Sequence, residues 1–149
     1  QTCGIYANTR VDEVADNVFT KSSRINSTWG GNLVDMIRCK QFINIIERDG
    51  IAANVTAIGN QVINGLRDIA RETGAFSSVR GKGSLLAFTM PTPEQRAEML
   101  QSLMNESVIA LPCGTRSVRF RLPLILTSED AGTLIERTKL SIQAMTATA

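Results

Sequence analysis

Phe76-Ser77-Ser78-Val79-Arg80-Gly81-Lys82-Gly83-Ser84-Leu85-Leu86-Ala87-Phe88-Thr89-Met90 is the stretch that decides the fold. Phe76 to Arg80 reads as a strand and Gly81-Lys82-Gly83 as a turn. Ser84 to Met90 reads as a second strand with a continuous apolar centre from Leu85 to Phe88. Pro91 closes it. A glycine-rich break between two such runs predicts a hairpin.

Toward the C-terminus, Thr92-Pro93-Glu94-Gln95 carries three helix-start signals. These are a hydroxyl cap, a proline at the first helical position, and a glutamine placed to complete a capping box. The helix that follows is expected to bury Ala97, Leu100, Leu103 and Met104. Val108 to Leu111 then reads as a strand, Pro112-Cys113-Gly114 as a turn and Ser117 to Leu122 as another strand. Thr127 or Ser128 caps a last helix that turns Leu134, Ile135, Ile142 and Met145 inward. Strand, strand, helix, strand, strand, helix predicts an α+β unit, a small, largely antiparallel sheet covered by helices.

Toward the N-terminus lies the strongest helical signal. Ile51, Val55, Ile58, Val62, Leu66 and Ile69 form one apolar stripe ending at Thr73-Gly74. A preceding helix starts near Leu33, carries Met36, Ile37, Ile43 and Ile46 inward, and stops at Asp49-Gly50. Val11, Val14, Ala15 and Val18 recur at helical spacing and predict a further helix over 10–19. Residues 2–7 read as a short buried strand. Three parts follow: 1–32, two linking helices over 33–74, and the small α+β unit over 75–149.

With 149 residues, 43% of them hydrophobic, the chain can bury a proper core. A net charge of +2 with interleaved acids and bases gives no basic stripe for nucleic acid. No apolar run approaches the roughly 20 residues of a membrane helix. Histidine is absent, which excludes Ser-His-Asp and Cys-His catalysis and any histidine-ligated metal within this chain. Cys3, Cys39 and Cys113 have neither zinc nor disulfide spacing and read as free thiols of a reducing compartment, the cytoplasm. Gln1 without an initiator Met reads as the start of a segment of something longer.

Two places could hold an anion. Asn26-Ser27-Thr28-Trp29-Gly30-Gly31-Asn32 leads two hydroxyls and two glycines into a helix start, which suits a phosphate and equally suits a plain cap and loop. Val118-Arg119-Phe120-Arg121-Leu122-Pro123 puts two arginines on one strand face. That face reads either as solvated bases or as a carboxylate clamp, for which the guanidinium fork is suited. Arg80-Gly81-Lys82-Gly83 offers a phosphate site or a hairpin turn, and its flanking strands favour the turn. Cys113 has no histidine to activate it and reads as an incidental thiol.

Taken in order, several of these blocks carry a family resemblance. They are Gln1-Thr2-Cys3-Gly4, the run Arg10 to Phe19, Ser23 to Asn32, Arg80-Gly81-Lys82-Gly83 and Val118 to Leu124. The chain resembles the C-terminal part of class III, fold-type-I aminotransferases dependent on pyridoxal 5'-phosphate. Within that family it is most similar to the subgroup acting on the ε-amino group of lysine. The resemblance implies the end of the large cofactor-binding domain followed by the small C-terminal domain. It implies transfer of the ε-amino group of L-lysine to 2-oxoglutarate, giving glutamate and 2-aminoadipate 6-semialdehyde, in a homodimer.

By the same resemblance Ser27 and Thr28 reach the cofactor phosphate of the other subunit, and Asn26 lies near the substrate. Arg119 binds the substrate carboxylate, and Arg121 is structural. The family's Schiff-base lysine corresponds to a position upstream of Gln1, so the chain alone is expected to be inactive. Alternatives are another amino donor (ornithine, acetylornithine or 4-aminobutyrate) and a non-enzymatic α+β binding module.

Overall fold

The computed structural model describes residues 5, 7–21 and 23–147. The strand expected over 2–7 falls outside them apart from Ile5 and Ala7, as does Cys3. The chain divides into two compact units, Gln1–Asp49 and Gly50–Ala149.

In the first unit the helix expected over 10–19 does not form. A 3-10 turn at Thr9–Val11, its start capped by the Asn8 side chain, gives way to successive turns. Asn17 explains the difference. Its side-chain oxygen accepts the N–H groups of Phe19 at 2.9 Å and Thr20 at 3.3 Å, while its amide donates to the Val14 carbonyl at 3.2 Å. These local bonds compete with helical ones. Asp16, at φ +58°, also takes a conformation that no right-handed helix accommodates.

Helix α1, Leu33–Arg48, begins where the Asn32 side chain accepts the Val34 N–H at 2.9 Å. It buries no residue within the described chain, and Leu33, Met36, Ile37 and Ile43 are exposed.

The second unit opens with α2, Ile51–Thr73, flanked by Gly50 and Gly74 in left-handed conformations. Of the expected apolar stripe Ile58, Val62, Leu66 and Ile69 are buried and Ile51 and Val55 half-buried, and Ile63 is buried beside them. Next come β1 (Ser77–Lys82), β2 (Leu85–Thr89), α3 (Pro93–Asn105), β3 (Leu111–Cys113), β4 (Ser117–Arg121) and α4 (Ser128–Ala147). The four strands form one antiparallel sheet in the order β1-β2-β4-β3. This is the expected α+β architecture.

Leu86 pairs with Phe120 and Phe88 with Val118, and all four point into the core beneath the helices. The Phe88 ring lies 4.3 Å from that of Phe76 and 5.9 Å from that of Phe120. Gly59 lets α2 approach the hairpin closely, because a Cβ there would come within 2.3 Å of the Gly83 carbonyl oxygen.

Several boundaries differ from expectation. β1 runs on through Gly81 and Lys82, so the hairpin turn is Gly83-Ser84. The third strand is Leu111–Cys113 rather than 108–111, and the turn after it begins at Gly114. Val108 is buried just ahead of that strand. On α3 the inward residues are Met99 and Leu103, with Leu100 beside them, whereas Ala97 and Met104 are exposed.

The Thr92 hydroxyl caps α3 by accepting the Gln95 N–H at 3.2 Å. Thr127 and Asp130 cap α4 reciprocally. The Asp130 N–H donates to the Thr127 hydroxyl and the Thr127 N–H to the Asp130 carboxylate, each at 3.1 Å.

Candidate functional site

The outer face of the sheet carries the polar side chains. Along β4, Val118 and Phe120 face the core, so Ser117, Arg119 and Arg121 point the other way. Opposite them on β2 stand Thr89, Ala87 and Leu85 respectively.

Arg80 joins this face through a β-bulge. Ser77 pairs with Thr89 and Arg80 with Ala87, so Ser78 and Val79 together oppose Phe88. The extra residue reverses the alternation and re-aims Arg80 outward. Its guanidinium donates to the Ser78 carbonyl at 2.8 Å, the Thr89 hydroxyl at 2.9 Å and the Ser117 hydroxyl at 2.9 Å. The two hydroxyls lie 3.1 Å apart. Sequence reading placed Arg80 at a strand end beside a turn and missed this role. The bulge that creates it leaves no compositional signal beyond Ser77-Ser78.

Arg119 is half-buried. Its Nε is sealed from solvent without a hydrogen-bond partner. Leaving such a donor unmet costs about 1–3 kcal/mol, so the site favours an acceptor there. Arg121 is exposed, and no hydrogen bond or ion pair ties its side chain to another described residue.

Both arginines line an open cleft of about 600 Å³ with Ser84, Leu85 and residues 122–124. Its walls are fixed by hydrogen bonds to main-chain carbonyls. The Leu122 N–H donates to the Ser84 carbonyl at 2.8 Å. The Asn54 amide of α2 donates to the carbonyls of Leu124 at 3.3 Å and Leu126 at 3.1 Å. The cleft is therefore cationic at one side, apolar at the other, and without a carboxylate of its own. It is suited to an organic carboxylate.

Asn26, Ser27 and Thr28 lie together on an exposed turn of the first unit, closed by the Gly30 N–H on the Ser27 carbonyl at 2.9 Å. The Asn26 side chain folds over Gly30, where a Cβ would meet its Oδ1 at 3.1 Å. Gly31 takes φ +75°. Because Asn32 spends its side chain on capping α1, the Ser27 and Thr28 hydroxyls remain unengaged among the described residues. Trp29 beside them is exposed.

Titration is perturbed away from these two places. Hydrogen bonds from the Thr127 hydroxyl and N–H hold the Asp130 carboxyl below its ordinary range. Lys139 does the same for Glu72. Among the described residues no cluster of Cys, Asp and Glu could hold a metal ion, and no helix is long and apolar enough to cross a membrane.

The comparisons agree with one another. The family description "Aminotransferase class-III" matches residues 4–142. The L-lysine-epsilon aminotransferase of Mycobacterium tuberculosis (strain ATCC 25618 / H37Rv) is 39% identical over 147 residues, covering 98% of this chain and 33% of the relative. That of Amycolatopsis lactamdurans is 43% identical over 132 residues, covering 87% and 29%. The solved lysine aminotransferase from M. tuberculosis superposes with a TM-score of 0.83 at 38% identity, covering 95% of this chain and 33% of that one. The chain thus spans about a third of the length of the curated relatives it matches. With the fold, the arginine cleft and these matches in accord, the chain belongs to the class-III aminotransferases.

Proposed function

We propose that this chain is the C-terminal part of a pyridoxal-phosphate-dependent transaminase that moves the ε-amino group of L-lysine to 2-oxoglutarate. The products are glutamate and 2-aminoadipate 6-semialdehyde. The observation that carries the reading is Arg119, whose sealed Nε has no partner and which lines a cleft without an acid. The similarity to the lysine-epsilon enzymes supports lysine as donor.

Residues 1–32 belong on this reading to the large domain and its interface loop, 33–74 to linking helices and 75–149 to the small domain. The assembly is a homodimer in the cytoplasm. Arg119 holds the carboxylate common to donor and acceptor by a charge-assisted pair. Asn26 lies near the substrate.

The turn fits the cofactor's phosphate, since two neighbouring hydroxyls stand unengaged beside Gly30 and Gly31. Ser27 and Thr28 would donate to it from across the dimer interface, and when bound the cofactor supplies the electron sink that transamination requires. Leu85 offers an apolar wall to one side of the bound chain. Without the family's Schiff-base lysine, the 149 residues alone do not turn over.

The test is an assay of the full-length transaminase carrying this chain, with lysine, ornithine and 4-aminobutyrate as donors and 2-oxoglutarate as acceptor. Semialdehyde formed fastest from lysine is the expected result. Equal rates with the other donors would remove the lysine assignment. Turnover by the 149 residues alone would overturn the inactivity of the segment.

A further inference from the structure

On the outer face of the sheet Arg80 and Arg119 stand on either side of one small residue. Arg80 of β1 pairs with Ala87 of β2, and Ala87 pairs in turn with Arg119 of β4. The next outward position along the face holds Thr89 and Ser117, a cross-strand pair whose hydroxyls lie 3.1 Å apart. Thr89 is therefore diagonal to both arginines, a separation of roughly 7–8 Å that long side chains span. Ser117 lies two residues before Arg119 on the same strand, roughly 6.6 Å away and also within a guanidinium's reach. Yet it is Arg80 that holds both hydroxyls, donating to each at 2.9 Å. Arg119 bonds neither. Its Nε is sealed without a partner, and the residue lines the cleft toward the other end of β4, with Ser84, Leu85 and Pro123.

From this arrangement we infer that Arg80 is a positioning residue for Arg119. By occupying the Thr89 and Ser117 hydroxyls it denies them to Arg119 and leaves that guanidinium to the cleft. The inference rests on the reading of Arg119 as the carboxylate-binding residue. An arginine with an unmet donor competes for any acceptor it can reach, because a sealed, unpaired N–H is costly. With Thr89 and Ser117 open, Arg119 would satisfy itself against the sheet and turn away from the substrate. Ala87 offers only a methyl group and does not bar the way. Arg80 blocks that route in two ways. It takes a lone pair from each hydroxyl, and its charge, bonded only to the neutral oxygens of Ser78, Thr89 and Ser117, repels a second guanidinium from the same place.

The experiment measures kcat and KM for lysine and 2-oxoglutarate in the full-length transaminase carrying this chain. The variants are Arg80→Met, Arg80→Lys, the hydroxyl pair Thr89→Val with Ser117→Ala, and that pair added to each Arg80 variant. Arg80→Met frees the hydroxyls, so Arg119 leaves the cleft in most molecules before substrate arrives. Saturating substrate draws it back. KM should therefore rise about tenfold for both substrates, as for a site competent in about one molecule in ten, while kcat stays within about twofold. Arg80→Lys keeps the charge and should raise KM by only about threefold. The hydroxyl pair cuts the same bonds but leaves Arg119 no other acceptor, so KM should match the parent. Added to Arg80→Met, it should return KM toward the parent value.

A KM raised as much by the hydroxyl pair as by Arg80→Met would make these bonds a structural tie and overturn the inference. So would a parent-like KM in Arg80→Met, or a fall in kcat with KM unmoved. Should Arg80→Met fail to fold, Arg80→Lys with and without the hydroxyl pair makes the same comparison. Arg119→Lys separates the two readings. If it leaves both KM values unchanged, the carboxylate reading falls and the inference with it. If it raises them while Arg80→Met does not, the inference alone falls.

Discussion

Arg80 Nη2 lies 2.9 Å from Ser117 Oγ, so a side chain of the edge strand β1 reaches across β2 to fasten β4, the strand that bears Arg119. The same guanidinium bonds the Thr89 hydroxyl of β2 on the way. Three strands are therefore tied together on the face that carries the cleft.

Arg80→Ala removes all three of these bonds. It is expected to lower unfolding stability by about 1.5–3 kcal/mol, the range for hydrogen bonds to a charged group. Urea denaturation measures it. Arg80→Lys keeps the charge but lacks the planar fork, so it should recover only part of the loss. A lysine variant as stable as the parent would show that charge, and not geometry, is what matters here.

Gly59→Ala sets two effects against each other. Alanine is the better helix former by about 1 kcal/mol. Its Cβ, however, would sit 2.3 Å from the Gly83 carbonyl oxygen, and backbone must move to admit it. Overpacking of this kind costs about 1–3 kcal/mol, so the variant should be destabilised overall. A raised midpoint in thermal unfolding would contradict the contact.

Arg119→Lys in the full-length transaminase should reduce kcat/KM by about 10- to 100-fold, the equivalent of losing a charge-assisted hydrogen bond. On the proposed function the loss should reach both amino donor and keto acceptor, each of which carries an α-carboxylate. Steady-state kinetics with each substrate varied in turn decide it. A defect confined to one substrate would reassign the residue.

Asp130 makes stability depend on pH. Its folded carboxyl titrates below the ordinary value because Thr127 donates to the ionised form from both hydroxyl and N–H. A depressed folded value contributes stability that is full above the unfolded pKa of about 3.9 and is lost as the pH falls through the lower, folded one. The parent should thus lose more stability than Asp130→Asn between about pH 5 and pH 2.5. Urea midpoints across that range measure the difference, and parallel curves would deny Asp130 its share. Thr127→Ala should cost about 1 kcal/mol at neutral pH through the lost cap.

What could be read from the sequence follows from how local each cause is. The α2 stripe from Ile58 to Ile69 was legible because one helix face makes most of the core. The caps at Thr92 and Thr127 were legible because their partners lie three residues away. The inward face of α3 was legible only in part, at Leu100 and Leu103 but not at Met99. Ala97 and Met104 satisfy a helical period with Leu100 as well as Met99 does with Leu103, and α3 meets α4 where the Ser141 carbonyl accepts the Ser102 hydroxyl at 3.0 Å. The missing helix over 10–19 turned on one side chain, Asn17, competing for main-chain donors.

At the cleft, the alternation that aligns Arg119 with Arg121 was visible in Val118 to Leu122. The bulge that sends Arg80 to the same face depends on pairing with β2 and was invisible. So was the unengaged state of Arg121, which depends on what the neighbouring strands fail to supply.

The meeting of Gly59 with Gly83 carries a consequence for how this site can change over generations. Helix and hairpin touch there through main chain, with no side chain interposed. The next residue, Ser84, holds Leu122 through its carbonyl and forms one lip of the cleft. The mouth is thereby keyed to the scaffold by atoms that every amino acid shares. Ser84, Leu85 and Leu124 are free to be exchanged for other side chains without shifting the frame that presents them. Specificity at this mouth can drift while its architecture stands still.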